Sequence, residues 1–420
     1  MNQTAAAHVT RHRTPLVALL TANVVSNIGN IFTTISVPWF VLQITGSPTK
    51  TGIAGAVTAL SFVASFFGGT LVDRIGFKRV AVGGDLASGI AVALVPLLYH
   101  TVGLAFWQLL LLVFLRALFN SPGDTARFGL LPDLIVLAGA SKERVNGMYH
   151  ATLNGARLLG AALTGVLIAL IGTSNMLWLD GVSFLFSATL VGLAVPGMAR
   201  HAVHAIRSSY WRDLSEGWQF LIRDHLLVGL AVLAAIVNFI GAAFAAVILP
   251  VYAKQVYGTS VSLGVLFAGA SVGTLVGSLC YTAIALRLSR LLVLIAGIGL
   301  TSATFWLLLP FPPLAVAAGA IALRGLATGF VTPLFGLVSQ ERVPAALRGR
   351  VFGTSQAIGT VAVPLGTLLA GFGIAIMGLR GTLLGMGLFA LVTVVPILVT
   401  PIFRELRTPP SYDATSSESR

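Results

Sequence analysis

Twelve long, nearly uncharged apolar stretches separated by short polar turns constrain this chain more than any other feature of it. They fall near residues 16–42, 50–72, 80–99, 103–127, 147–171, 175–195, 226–253, 262–285, 290–309, 313–338, 350–377 and 379–401. A helix rises ~1.5 Å per residue, so ~20 apolar residues cross the ~30 Å hydrocarbon layer of a bilayer. The expectation is an all-α membrane protein with twelve transmembrane helices. Composition agrees: 9% of the 420 residues are charged and the mean hydropathy is +0.93, whereas about 25% charge is usual in soluble domains.

The net charge of +13 raises the question of a polyanionic partner, and its distribution answers it. An even number of spans places both termini on one side. If that side is the cytoplasm of a plasma-membrane protein, eighteen Lys and Arg fall in inner loops, among them Arg74, Lys78, Arg79, Arg200, Arg207, Arg348 and Arg350. The outer loops hold Lys50, Lys254 and Arg380. This bias is the positive-inside rule, so no nucleic-acid partner is needed to explain the charge. Cys280, the single cysteine, excludes an internal disulfide and reads as packing. The start, MNQTAAAHVTRHRT, is a polar basic arm, and the first apolar run is too long for the core of a cleavable signal peptide.

The chain repeats itself. Pro38–Gly52 and Pro250–Gly264 share Pro, Gln, Gly and Gly 212 positions apart. Arg116 and Arg324, and Gly69 and Gly277, are 208 apart; Arg144–Gly147 and Arg350–Gly353 are 206 apart. Such ordered blocks indicate a duplicated six-helix unit. Because six is even, the two copies insert the same way round, as parallel repeats do in rocking transporters with a midplane substrate site. The expected organisation is an N-terminal bundle 1–195, a cytoplasmic linker 196–225, a C-terminal bundle 226–405 and a disordered tail 406–420. Within the linker, Trp211, Leu214, Trp218 and Leu221 share one helical face, which predicts an amphipathic helix along the membrane surface. His201 and His204 have no third ligand nearby, so no metal site is expected, and no cofactor either.

One inner loop, GGTLVDRIGFKR, interrupts the apolar runs with one Asp, three bases and spaced glycines. Gly69, Leu71, Asp73, Arg74, Gly76, Lys78 and Arg79 match G-x-L-x-D-R-x-G-x-K/R-K/R, and with twelve spans and a parallel repeat the chain resembles the major facilitator superfamily over nearly its whole length. DTARFGLLPDL, GDLASG, LDGVSF and ALRGRVFG are similar to the drug:proton antiporter branch, which includes macrolide-efflux, siderophore-export and Tap-like multidrug pumps. Two positions depart from that branch: Ala161 stands where its fifth-span motif has proline, and Asn120 where its fourth-span motif has glycine. The resemblance implies secondary active export of small amphiphilic, drug-like compounds by proton antiport and alternating access. Within transport the alternative is a dedicated exporter of one metabolite or siderophore. It also implies that Gly69, Asp73, Arg74, Gly76, Lys78 and Arg79 form a cytoplasmic gate, with Asp73 facing a neighbouring helix N-terminus. Taken as residues alone, the loop also fits a purely topological role. A monomer acting on a small molecule and protons within the bilayer is the implied unit.

Ionisable residues within spans are functional candidates by default, because an unpaired charge there costs about 3 kcal/mol or more. Those identified are Asp85, Arg116, Arg157, Asp180 and Arg324. Counting along helices puts Asp85 ~9 Å and Arg116 ~10 Å from the inner face, which predicts an Asp85–Arg116 pair serving proton release or only joining helices. Asp180, nearer the outside and without an evident basic partner, is read as the first proton acceptor or an outer helix cap. Asn23, Asn27, Asn30 and Thr34 recur at i, i+4, i+7 and i+11 on the first span, a stripe that lines a cavity or joins neighbouring helices. Asn238, Phe239 and Gln356 are further cavity candidates. Amides, hydroxyls and aromatics with few charges suit amphiphilic or weakly cationic molecules and not sugar phosphates. No Walker A loop, H-E-x-x-H or G-x-S-x-G occurs, which leaves a self-contained ATP-driven pump, an enzyme or a receptor without a supporting motif.

Overall fold

The computed structural model describes residues 13–64, 72, 75–197, 210–284, 289–344 and 347–407. Gly69, Asp73, Arg74, His201 and His204 lie outside them, as do the side chains of Arg157, Ala161, Trp211 and Leu214. Contacts divide the chain into two compact units, Met1–Phe40 with Val57–Val203, and Val41–Ala56 with His204–Arg420.

The first six helices are α1 (Thr14–Thr45), α2 (Pro48–Ala64), α3 (Phe77–Thr101), α4 (Phe106–Ala138), α5 (Lys142–Ile171) and α6 (Thr173–Ala194). The linker forms α7 (Tyr210–Arg223). Then come α8 (His225–Ala243), α9 (Ser260–Ile284), α10 (Arg290–Leu308), α11 (Leu314–Arg342) and α12 (Arg348–Val392). Two π turns, Phe244–Ile248 and Ala253–Tyr257, carry α8 onward as one apolar rod to Tyr257. Among the described residues nine segments are long and apolar enough to cross a membrane. Adding α2 and α5, and dividing the last segment at Gly378, gives the twelve expected spans. Large apolar side chains such as Leu193, Ile376, Val102 and Leu170 are 74–84% exposed, an outside suited to lipid.

The duplication is legible in the backbone. Gly46 (φ 64°) ends α1 as Gly258 (φ 73°), 212 positions on, ends the α8 rod. Gly172 (φ 82°) separates α5 from α6, and Gly378 (φ 70°), 206 positions on, breaks α12 at the predicted place. Between α3 and α4 the turn uses Gly103 (φ 83°); 208 positions on, Phe311 adopts φ 55°.

In the first unit, α3 packs between α4 and α6. A Cβ built on Gly84 would lie 2.8 Å from the Phe119 carbonyl, and one on Gly89 would lie 3.2 Å from the Gly181 carbonyl. Bare backbone at these crossings therefore allows the polar groups of three helices to meet. The fourth helix overruns its expected end at residue 127 and continues to Ala138. Beyond Arg127, Leu130, Leu131, Leu134, Ile135 and Ala138 continue an apolar stripe buried with Leu16, Leu19, Val80 and Val191. In the second unit, α11 packs on α9, where backbone carbonyls of Ala322 and Leu326 lie against Gly273 and Gly277. The amphipathic α7 forms as expected, but Leu221 is buried against Leu227, Val343 and Val351, not facing lipid. Glu216 adds an ion pair to Arg350. Trp218 and Ile222 remain exposed.

Candidate functional site

Two charge centres lie inside the first unit, stacked along α4. The arginines that anchor them, Arg116 and Arg127, are eleven residues apart, three helical turns, so they share a face about 16 Å apart along the axis.

At the first centre Arg116 meets Asp180 of α6. Arg116 Nε donates to Asp180 Oδ2 at 3.1 Å and Nη2 lies 3.0 Å from the same oxygen. Nη2 also donates to Asn30 Oδ1 on α1 at 2.7 Å, and the Thr33 hydroxyl donates to Asp180 Oδ2. Ser183 Oγ lies 3.4 Å from Asp180 Oδ1, and the guanidinium sits 5.4 Å over the Phe184 ring. Asp180 is fully buried and Arg116 is 6% exposed. A Cβ on Gly29 would run into Asp180 Oδ1 and Ser183 Oγ, so only glycine admits α1 this close to the carboxylate.

At the second centre Arg127 bridges two carboxylates. Nη1 pairs with Asp85 on α3 and Nη2 with Asp124 one turn back. Ser187 on α6 donates to Asp85 Oδ2 at 2.6 Å, and Asn120 Nδ2 donates to Asp124 Oδ2 at 3.1 Å. Asp85 and Arg127 are fully buried. Asn120, where the resembling branch has glycine, thus has a local use holding Asp124.

The expected Asp85–Arg116 pair is not formed, and Asp180 does not lack a basic partner. Ending the fourth span at residue 127 left Arg127 out of the reckoning and made Arg116 the basic residue nearest in depth to Asp85. Because α4 continues, Arg127 lies within a helix at Asp85's level and Arg116 falls to Asp180. The missed signal was the eleven-residue spacing of the two arginines, together with Asp180 and Ser187 at i, i+7 on α6.

The asparagine stripe divides. Asn30 joins α1 to α4 through Arg116. Asn23 is buried and accepts from Asn27 Nδ2 at 3.1 Å, whereas Thr34 is exposed and bonds the Asn30 carbonyl. In the second unit Asn238 is exposed beside Gly359, Phe239 lies 5.5 Å from Phe389, and Gln356 is exposed. Of the loop motif, Gly76 has φ 98° ahead of α3, and Lys78 and Arg79 lie in its first turn. Among the described residues no cluster of His, Cys, Asp and Glu is arranged to hold a metal.

Duplicated bundles of apolar helices with buried ion pairs define an integral membrane protein of the transporter class. The sequence profile of the Major Facilitator Superfamily matches residues 19–353 and 231–419. The chain belongs to that superfamily. It is 32% identical over 410 residues to the multidrug efflux pump Tap of Mycobacterium tuberculosis, covering 96% of this chain and 97% of that one. Against macrolide efflux protein A of Streptococcus pyogenes it is 22% identical over 357 residues, covering 82% and 86%. Among solved structures, a point mutant of the nucleoside transporter NupG superposes with a TM-score of 0.76 at 12% identity, covering 91% of this chain and 99% of that one. A bacterial homologue of the human lysosomal transporter Spinster gives 0.69 at 15%, covering 94% and 98%. These two likenesses establish the fold.

Proposed function

We propose that the protein is a secondary active exporter of small amphiphilic, drug-like organic compounds, driven by proton antiport. The observation that carries this reading is the buried Asp180–Arg116–Asn30–Thr33 centre in a chain whose relatives are named multidrug and macrolide efflux proteins. An antiporter needs a carboxylate whose charge is coupled to helix positions. Asp180 draws α1, α4 and α6 together through Thr33, Arg116 and its own helix. A proton on Asp180 cancels the charge that holds Arg116 and frees the guanidinium and Asn30 to reorient. Asp85 is the second carboxylate candidate, tied to Arg127 and Ser187. In this reading both termini are cytoplasmic in the plasma membrane, the Gly69–Arg79 loop is the inner gate, and bundles 1–195 and 226–405 alternate access as a monomer. Asn23, Asn27, Thr34, Asn238, Phe239 and Gln356 contribute polar and aromatic contacts to substrate.

Inverted vesicles given a lipophilic cationic dye in the outer medium, so that export is read as uptake into the lumen, provide the test. Export should need an imposed pH gradient and collapse with a protonophore, and Asp180→Asn should abolish gradient-driven export while sparing dye exchange. Concentration of dye against its gradient by the Asp85→Asn, Asp180→Asn double variant would overturn proton coupling through these residues.

A further inference from the structure

Arg324 on α11 is the duplicate of Arg116, 208 positions on, and stands eleventh in a helix that begins at Leu314. That places it ~15 Å from the outer end, near the middle of a ~30 Å layer. Its surroundings have been stripped of every group that serves Arg116. In the registers of the repeat, Asn30 and Thr33 correspond to Ala242 and Ala245, 212 positions on, and Asp180 to Met386, 206 positions on. No Asp or Glu occurs between residues 225 and 340 or between 342 and 404, so the membrane-embedded second unit holds no carboxylate to replace them. Arg324 stacks 4.2 Å over the Phe244 ring, which is buried edge-on to Phe305. Among the described residues its Nε is buried with no hydrogen-bond partner.

Open space lies beside the backbone three residues before Phe244. Gly241 is the duplicate of Gly29. A Cβ at Gly29 strikes Asp180 and Ser183, whereas one at Gly241 meets nothing within 4 Å. The N–H edge of a guanidinium fits a planar carboxylate with two parallel hydrogen bonds. An uncompensated cation at this depth is costly, and its retention after loss of its internal counter-ion points to a counter-ion supplied by a ligand.

We propose that Arg324, held on the Phe244 platform, receives the carboxylate of acidic or zwitterionic organic molecules carried by this protein. The proposal rests on the transport reading and adds a substrate class to it.

The test uses full-length protein in lipid nanodiscs in HEPES buffer free of chloride and of carboxylate salts, with two probes: rhodamine B, which has a free carboxylate, and its ethyl ester. Fluorescence anisotropy gives both Kd values. Arg324→Gln should weaken binding of the free acid about ten- to a hundredfold, as expected for loss of hydrogen bonds between charged groups, and change the ester less than about twofold. Arg324→Lys should keep part of the preference for the acid. Unchanged ester binding certifies that the variant is folded. Equal weakening of both probes by the Arg324→Lys variant, or no weakening of the acid by Arg324→Gln, would overturn the assignment. So would competitive displacement of the acid by millimolar chloride, which would make Arg324 an inorganic-ion site. Cells exporting the ester through both wild type and Arg324→Gln, with acid binding unchanged, would sink this proposal and leave the export reading standing. Failure of wild type to export either dye would sink the export reading.

Discussion

The two units carry the same arginine on the same helix and treat it in opposite ways. In the first, Arg116 is held by Asp180 and Asn30, with Thr33 donating to Asp180, and one level further along α4 Arg127 is enclosed by Asp85, Asp124 and Ser187. In the second, Arg324 meets the face of Phe244 and, among the described residues, no carboxylate. Duplication supplied two copies of one scaffold. One copy has its charges neutralised internally, and the other carries a buried arginine stacked on a ring. Buried ion pairs contribute little net stability but are costly to break, so the first unit should be brittle at its arginines and the second tolerant.

Breaking the comparison at its strongest point gives the largest expected effect. Arg127→Met strands Asp85 and Asp124 and should destabilise by about 3–5 kcal/mol, read as a fall in the thermal midpoint in detergent. Arg324→Met strands no carboxylate and should cost less than about 1 kcal/mol in the same assay; equal losses would show that the units are not different in kind. Next in size, Asp180→Asn leaves Arg116 without its counter-charge, and should lower stability by about 3 kcal/mol besides abolishing gradient-driven export. Gly29→Ala should cost about 1–3 kcal/mol by overpacking against Asp180, while Gly241→Ala should gain up to about 1 kcal/mol from helix propensity. If Gly241→Ala is as damaging as Gly29→Ala, the space beside Gly241 is not open. The smallest effect belongs to Glu216→Gln, which removes the half-exposed pair to Arg350 and should change stability by less than about 1 kcal/mol, since α7 is also held by buried Leu221.

Much of this architecture was legible in the residues. Apolar runs gave the spans, and the 212, 208 and 206 registers reappear as left-handed turns at Gly46 and Gly258, and at Gly172 and Gly378. The partners of the buried charges were not legible. Depth counted along one helix depends on where that helix stops, and the buried Leu130–Ala138 stripe carries the fourth helix past residue 127. Rotation about the axis is equally invisible to depth, although the spacing of Arg116 and Arg127 contained it. What Arg324 lacks became visible only once the repeat was used to ask which residues replace the neighbours of Arg116.

The turn at Phe311 has a consequence for how such repeats diverge. A non-glycine residue in this conformation costs about 1–2 kcal/mol. Phe311 stacks with Tyr252 at 5.8 Å and lies 4.6 Å beneath the Arg380 guanidinium, contacts worth about 0.5–1.5 and 0.5–1 kcal/mol. The counterparts of Tyr252 and Arg380 in the first repeat are Phe40 and Ser174, so the same substitution at Gly103 would find no arginine at the corresponding position. Once Tyr252 and Arg380 were in place the second turn became entrenched: reversion to glycine would relieve the backbone and forfeit the clasp. Corresponding loops of the two repeats are therefore no longer interchangeable parts, and a chimaera that exchanges them would inherit the strain without the contacts that offset it.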